Sequence, residues 1–190
     1  MKSRSNLKAM PRWTRRKEAR PEEITAAALE LFIERGYAAT RLEDVAARAG
    51  VSKGTLYLYF ANKEELFKAV VREGIVSPLK EFRGVIENYA GSTFDLLERL
   101  IRTWWELIGS TRLSGIPKLV MSEAQNFPEI ARFYVDEVIR PGREALAALI
   151  QRGIARGEFR FLDPLHAGNL VFAPLLMIAM WRNSLHVCAP

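Results

Sequence analysis

From residue 21 onward, apolar side chains recur at intervals of three and four, and alternating runs of the kind strands need are hard to find. Ile24, Ala28, Leu31 and Phe32 fall on one helical face. Pro21, Glu22 and Glu23 open that helix, since proline suits a first turn and acids suit the positive end of the helix dipole. Gly36 ends it. Thr40 with Glu43 reads as a capping box for a second helix, whose apolar face is Leu42, Val45, Ala46 and Ala49. That helix stops at Gly50. Only Val51 and Ser52 separate it from a third helix within SKGTLYLYF, residues 52–60. Asn62 with Glu65 is a further capping box, starting a fourth helix with Leu66, Phe67, Val70 and Val71 inward and Pro78 marking its kink or end.

Beyond Pro78 the predicted helices lengthen and become more apolar: roughly 79–90, 93–109, 112–125, 128–156 and 164–187. Gly91, Gly115, Pro117, Pro128, Pro141, Gly157 and Pro164 punctuate them, and Asp163 before Pro164 is a good N-cap and first-turn pair. The pattern predicts an all-α chain in three parts: an N-terminal arm over 1–20, a small helix-turn-helix unit with its linking helix over 21–80, and a larger helical domain over 81–190.

Composition changes the picture in two ways. Hydrophobic residues make up 49% of the 190, enough for a substantial core. Of the formal charge of +6, residues 1–20 carry +7, from eight basic residues against Glu18, so the remainder sums to −1. Such an arm suits a polyanion, or else is a solvated tail. Cys188 is the one cysteine, which excludes an intramolecular disulfide and a cysteine metal cluster and fits a reducing cytoplasm. The basic N-terminus lacks the apolar segment of a secretory signal. The apolar run 170–181 is shorter than the ~18–20 residues a bilayer span needs. Only His166 and His186 are available as imidazoles, and no nucleophile elbow, phosphate loop or metal-ligand spacing is present, so neither an enzyme, a metal site nor a cofactor is expected. A peripheral membrane protein is a weak alternative, because the basic residues of the arm leave no wide apolar face.

The third helix carries the candidate chemistry. At about 100° per residue, Leu56 and Phe60 lie within about 40° of each other and face the core, while Gly54 and Leu58 fall on the opposite side, flanked by Thr55 and Tyr57. Ser52 and Lys53 stand in the first turn, where backbone N–H groups are free. Gly54 allows close backbone approach. Lys53 can donate to guanine, Thr55 can bond a base or a phosphate, and Leu58 can pack on a thymine methyl. Tyr57 and Tyr59 can reach phosphate oxygens, which set register. Lys63, Thr40 and Arg41, at the starts of neighbouring helices, are further phosphate candidates. The alternative for Tyr57, Leu58 and Tyr59 is packing against the fourth helix.

The stretch ITAAALELFIERGYAATRLEDVAARAGVSKGTLYLYFANKEELFKAV, about a quarter of the chain, resembles the DNA-binding domain of TetR-family transcriptional regulators. The matching residues are Ala28, Phe32, Gly36, Tyr37, Thr40, Val45, Ala46, Ala49, Gly50, Val51, Ser52, Gly54, Tyr57, Phe60, Lys63 and Leu66. The resemblance implies an all-helical homodimer that binds a palindromic double-stranded DNA operator, acts mostly as a repressor, and releases DNA when a small ligand shifts the linking helix. It carries over Thr40, Arg41, Ser52, Lys53, Gly54, Thr55, Tyr57, Leu58, Tyr59 and Lys63 as DNA-facing positions; Leu58 stands where relatives often have an aromatic or polar residue.

By the same resemblance, the last two long helices, rich in Ala145, Ala148, Leu149, Leu170, Ala173, Met177 and Trp181, pair with their copies in a four-helix bundle. Phe94, Trp104, Trp105, Met121, Phe127, Tyr134 and Phe172, with Leu107 and Phe133, are either lining for a pocket that takes an apolar or amphipathic effector or ordinary core.

Overall fold

The computed structural model describes residues 21–186 and 188; the basic arm lies outside them. The described residues are helical throughout their regular structure, with no strand among them. Three short helices form the first unit: α1 (Pro21–Arg35), α2 (Leu42–Arg48) and α3 (Lys53–Tyr59). α4 (Lys63–Val71) packs on α1 and runs through a π-turn, Arg72–Val76, into α5 (Ser77–Asn88). α6 (Thr93–Trp104) ends in a second π-turn, Trp105–Gly109. A 3-10 turn (Arg112–Gly115) leads into α7 (Ile116–Glu123). α8 (Pro128–Tyr134) passes through a third π-turn, Val135–Ile139, into α9 (Arg140–Ala155), and α10 (Pro164–Arg182) folds back on α9.

The prolines explain two of the three π-turns. Pro78 and Pro141 each sit two residues beyond the end of one. A helical proline offers no N–H to the fourth carbonyl before it and crowds that carbonyl, so the preceding turn widens. Pro78 therefore kinks a continuous helix, the first of the two outcomes its position allowed. The two widened turns face each other, and Arg72 bridges to Glu137 with two bonds of 3.0 and 2.6 Å.

Several local expectations hold for their stated reasons. Gly36 adopts φ +84° just past α1, and Gly50 adopts φ +69° in the turn between α2 and α3, conformations that favour glycine. Asn62 accepts the Glu65 N–H at 2.9 Å, and Asp163 accepts the His166 N–H at 2.7 Å. The Thr40 capping box does not form. α2 begins one residue later than that motif implies, with Arg41 as its cap and no side-chain capping bond. The Thr40 hydroxyl turns back to the end of α1, 2.7 Å from the Gly36 carbonyl and 3.2 Å from that of Leu31, between which its hydrogen is shared.

The main core is continuous across the molecule. Ile24, Leu31, Phe32, Val45, Leu56, Leu66, Phe67 and Val71 of α1 to α4 share one buried cluster with Ile108, Ile116, Leu119, Ile130, Phe133 and Tyr134. A smaller cluster around Leu96, Leu149 and Ile150 lies between α6 and α9.

α10, the longest helix among the described residues, buries no large apolar side chain fully. Its buried residues are Gly168 and Ala179 alone. Leu170, Met177, Ile178 and Trp181 are exposed, with Ala173 and Pro174 between them. These residues form two ridges at four-residue spacing, the surface that helices use to pack on helices. At 19 residues and a mean hydropathy of 1.4, the whole helix is long and apolar enough, by length and composition, to cross a bilayer. This corrects the estimate from the 170–181 run, because the helix starts six residues before that run. The same test is passed by helices of proteins that never meet a membrane, and the side of α10 holding Gly168 and Ala179 is packed against the rest of the fold.

Candidate nucleic-acid interface

The geometry of α3 follows from one buried stripe. Leu56 is fully buried and Phe60 nearly so, which fixes the helix on α2 and leaves the opposite side outward. Leu58 is 83% exposed, and Tyr57 and Tyr59 are about half exposed, at 44% and 48%. Leu58 thus packs on no other helix, whereas half-exposed Tyr59 lines a cleft with Glu65 and Ala69 of α4. An apolar side chain so exposed on a short helix has no folding role within the chain.

The first turn of α3 is ordered by its own side chains. The Ser52 hydroxyl accepts the Thr55 N–H at 3.0 Å and lies 2.8 Å from the Thr55 hydroxyl. Both hydroxyls are thus held in one place while Ser52 stays exposed. Gly54 is exposed beside them, and a Cβ there would meet only Ser52 Oγ, at 3.8 Å. Its lack of a side chain therefore answers no constraint within the chain and keeps the outer surface low. Lys53 pairs with Glu43 of α2 at 2.5 Å and lies 5.7 Å from the centre of the Tyr57 ring. The hydrogen bond from Lys53 holds the Glu43 carboxyl below the ordinary carboxylate range, and the same bond raises the Lys53 ammonium. Arg41 is exposed at the start of α2.

Two of the sequence candidates are placed elsewhere. Thr40 is buried, its hydroxyl committed to α1, so its side chain does not face outward. Lys63 points inward. Its ammonium donates to the carbonyls of Tyr37 (2.8 Å) and Ala38 (3.1 Å) and sits 4.5 Å from the Tyr37 ring centre. Burial lowers its pKa. The turn between α1 and α2 leaves these carbonyls outside any helix, and Lys63 satisfies them. The sequence reading missed Glu43 as the partner of Lys53, because no periodicity links positions on two different helices.

The candidate effector residues are dispersed. Trp104 and Phe172 meet edge to face at 5.2 Å. Tyr134 and Phe133 are core, and burial raises the Tyr134 hydroxyl. Phe127 packs on Tyr37 at 4.8 Å. Phe94, Leu107 and Met121 are exposed. A cleft of about 370 Å³ lies instead among Leu97, Ile150, Phe159, Leu162, Ala167 and Val171, with Glu158 and Arg160 at its edge, and none of the candidates lines it. The candidates are spread over several faces because an aromatic in a helical pattern does not say which of several apolar faces it joins.

Residues 24–70 match the family of bacterial regulatory proteins named after TetR, and residues 90–185 match a tetracycline repressor-like C-terminal domain. The chain belongs to the TetR family. It is 41% identical over 197 residues to the transcriptional regulator RutR of Escherichia coli K12, spanning 95% of this chain and 79% of the relative. The repressor KstR2 of Mycobacterium tuberculosis H37Rv is 28% identical, over 75% of this chain and 70% of its own. Among solved structures, the fatty acid degradation regulator FadR of Bacillus halodurans aligns with a TM-score of 0.71 at 25% identity, covering 93% of this chain and 89% of that one. As a TetR-family member, the protein is a sequence-specific DNA-binding transcriptional regulator and not an enzyme.

Proposed function

We propose that the protein is a ligand-responsive repressor that binds a palindromic operator as a homodimer and acts in the cytoplasm. The observation that supports the reading face is the outer side of α3, where Leu58, Tyr57 and Tyr59 are exposed around an ordered Ser52–Thr55 pair. In this reading Lys53, Thr55 and Leu58 meet base edges, and Arg41, Ser52, Tyr57 and Tyr59 meet phosphates, with Gly54 allowing close approach. The exposed ridges of α10 support dimerisation, since a second copy would cover them by the same ridges. Two copies of α3 would then read half-sites about 34–36 Å apart.

The effector is an apolar or amphipathic molecule. The half-buried Trp104–Phe172 pair supports this, as does the chain's 26% identity to a fatty acid metabolism regulator protein of Bacillus subtilis. Recovery of only a small, highly charged metabolite from the purified protein, by mass spectrometry, would count against that class.

The test is binding to DNA from the region upstream of the protein's own coding sequence, titrated with salt, beside Lys53→Ala/Tyr57→Ala. A protected palindrome at physiological salt that the double variant loses is the expected result. Weak, sequence-independent binding by both proteins would sink the reading.

A further inference from the structure

The turn between α1 and α2 is held from outside the DNA-binding unit. Glu123, the last residue of α7, accepts the Ala38 N–H at 3.1 Å. The Glu123 carbonyl accepts the N–H groups of Asn126 (3.0 Å) and Phe127 (2.8 Å), so the same residue anchors the turn into α8. Phe127 lies edge-on to Tyr37, and the Lys63 ammonium sits 5.8 Å from the Phe127 ring centre. Lys63 meanwhile takes the carbonyls of Tyr37 and Ala38. Both backbone polar groups of Ala38 are thus satisfied by side chains, one from α7 and one from α4. A Cβ at Gly36 would meet the Glu123 carboxylate only at an ordinary contact of 3.5 Å, so the glycine answers to its φ of +84°.

We infer that Glu123 is a positioning residue for DNA reading: its carboxylate fixes the α1–α2 turn, and through α2 the orientation of α3, so that the α7–α8 segment of the effector domain has a direct hold on the helix-turn-helix. The linking helix meets Glu123 at this turn, because Lys63 at the start of α4 holds the carbonyls of Tyr37 and Ala38. The inference rests on the DNA-reading role of α3 stated above. The physical argument is one of lost freedom. Residues 37–39 form a turn without helical bonds of their own. Releasing the Ala38 N–H lets the turn sample other conformations, and DNA binding must then select the competent one.

The experiment compares full-length wild type, Glu123→Ala and Glu123→Gln. Amide hydrogen exchange is read at Ala38, and affinity is measured for the palindrome that the wild type protects. Alanine removes the acceptor; glutamine keeps an oxygen that can accept the same N–H. Expected for Glu123→Ala are faster exchange at Ala38 and operator binding weaker by about 5- to 20-fold, the lower part of the usual range for coupled sites. Expected for Glu123→Gln is near wild-type behaviour in both. Unchanged exchange at Ala38 in the alanine variant overturns the inference, as does unchanged operator affinity, or a glutamine variant as impaired as alanine. A wild type that protects no palindrome defeats the DNA-reading role instead, and the exchange comparison still decides whether Glu123 holds the turn.

Discussion

The helix-turn-helix unit and α10 bury apolar surface to opposite degrees. In the first unit, short helices of seven to fifteen residues put nearly every large apolar side chain inside. Phe32, Tyr37 and Phe67 meet at ring distances of 5.5–5.6 Å, and Phe127 joins them from α8. The exceptions stand together on the outer side of α3. In α10, a helix of 19 residues, the large apolar side chains stay exposed along one side. Exposed apolar residues therefore carry different meanings in the two places. On α3 they are few, mixed with hydroxyls and a lysine, and suited to a polar groove. On α10 they are continuous and suited to another apolar helix.

The largest effect that would break this contrast concerns the completed core. Phe67 is fully buried at the centre of the aromatic cluster, so Phe67→Ala is expected to destabilise the fold by about 3–5 kcal/mol through lost transfer and an unfilled cavity. Chemical denaturation would show it; a loss under about 1 kcal/mol would mean the cluster is looser than its geometry.

An intermediate effect belongs to α10. Met177 is 65% exposed in the middle of the ridge. Met177→Glu should leave the monomer fold intact while weakening self-association by more than about 2 kcal/mol, roughly 30-fold, as for a central interface residue. Sedimentation equilibrium measures it. An unchanged association constant would remove α10 from the interface and leave its apolar side to another partner.

The smallest effect sharpens the contrast at the junction of the two π-turns. The Arg72 guanidinium holds the Glu137 carboxyl below its ordinary value of 4.5. A depressed folded-state pKa contributes stability that is present above the unfolded value and is lost as pH falls through the folded one. The pair is partly exposed, so the contribution is under about 1 kcal/mol. Glu137→Gln should therefore cost little at neutral pH and should flatten the loss of stability below about pH 4.5. Melting curves from pH 3 to 7 would test this, and equal acid slopes for both proteins would contradict it.

Much of the outer face of α3 was legible in the residues. Leu56 and Phe60 lie close enough on a helix to share a buried stripe, and that alone sends Gly54 and Leu58 outward. Pro78 and Pro141 announced local distortions because proline acts on the backbone at fixed offsets. Thr40 and Lys63 were misplaced for a common reason. Each sits where a terminus should leave polar groups exposed, yet carbonyls near the end of α1 reach it first. Which side chain wins such a competition depends on distances between helices, and helical periodicity does not encode them. The scatter of the aromatic candidates has the same origin.

By itself, the chain determined its helices, the turns at Gly36 and Gly50, the inward and outward sides of α3, and its place in a family of DNA-binding regulators. These follow from interactions between residues a few positions apart, or from an ordered motif nearly fifty residues long. Only the tertiary structure decided that Glu43 would hold Lys53, that Lys63 would turn inward, that Glu123 would reach Ala38, and that α10 would keep its apolar side uncovered. Each of these joins residues distant in sequence, or leaves them apart, and depends on how the helices cross once the shared core has closed.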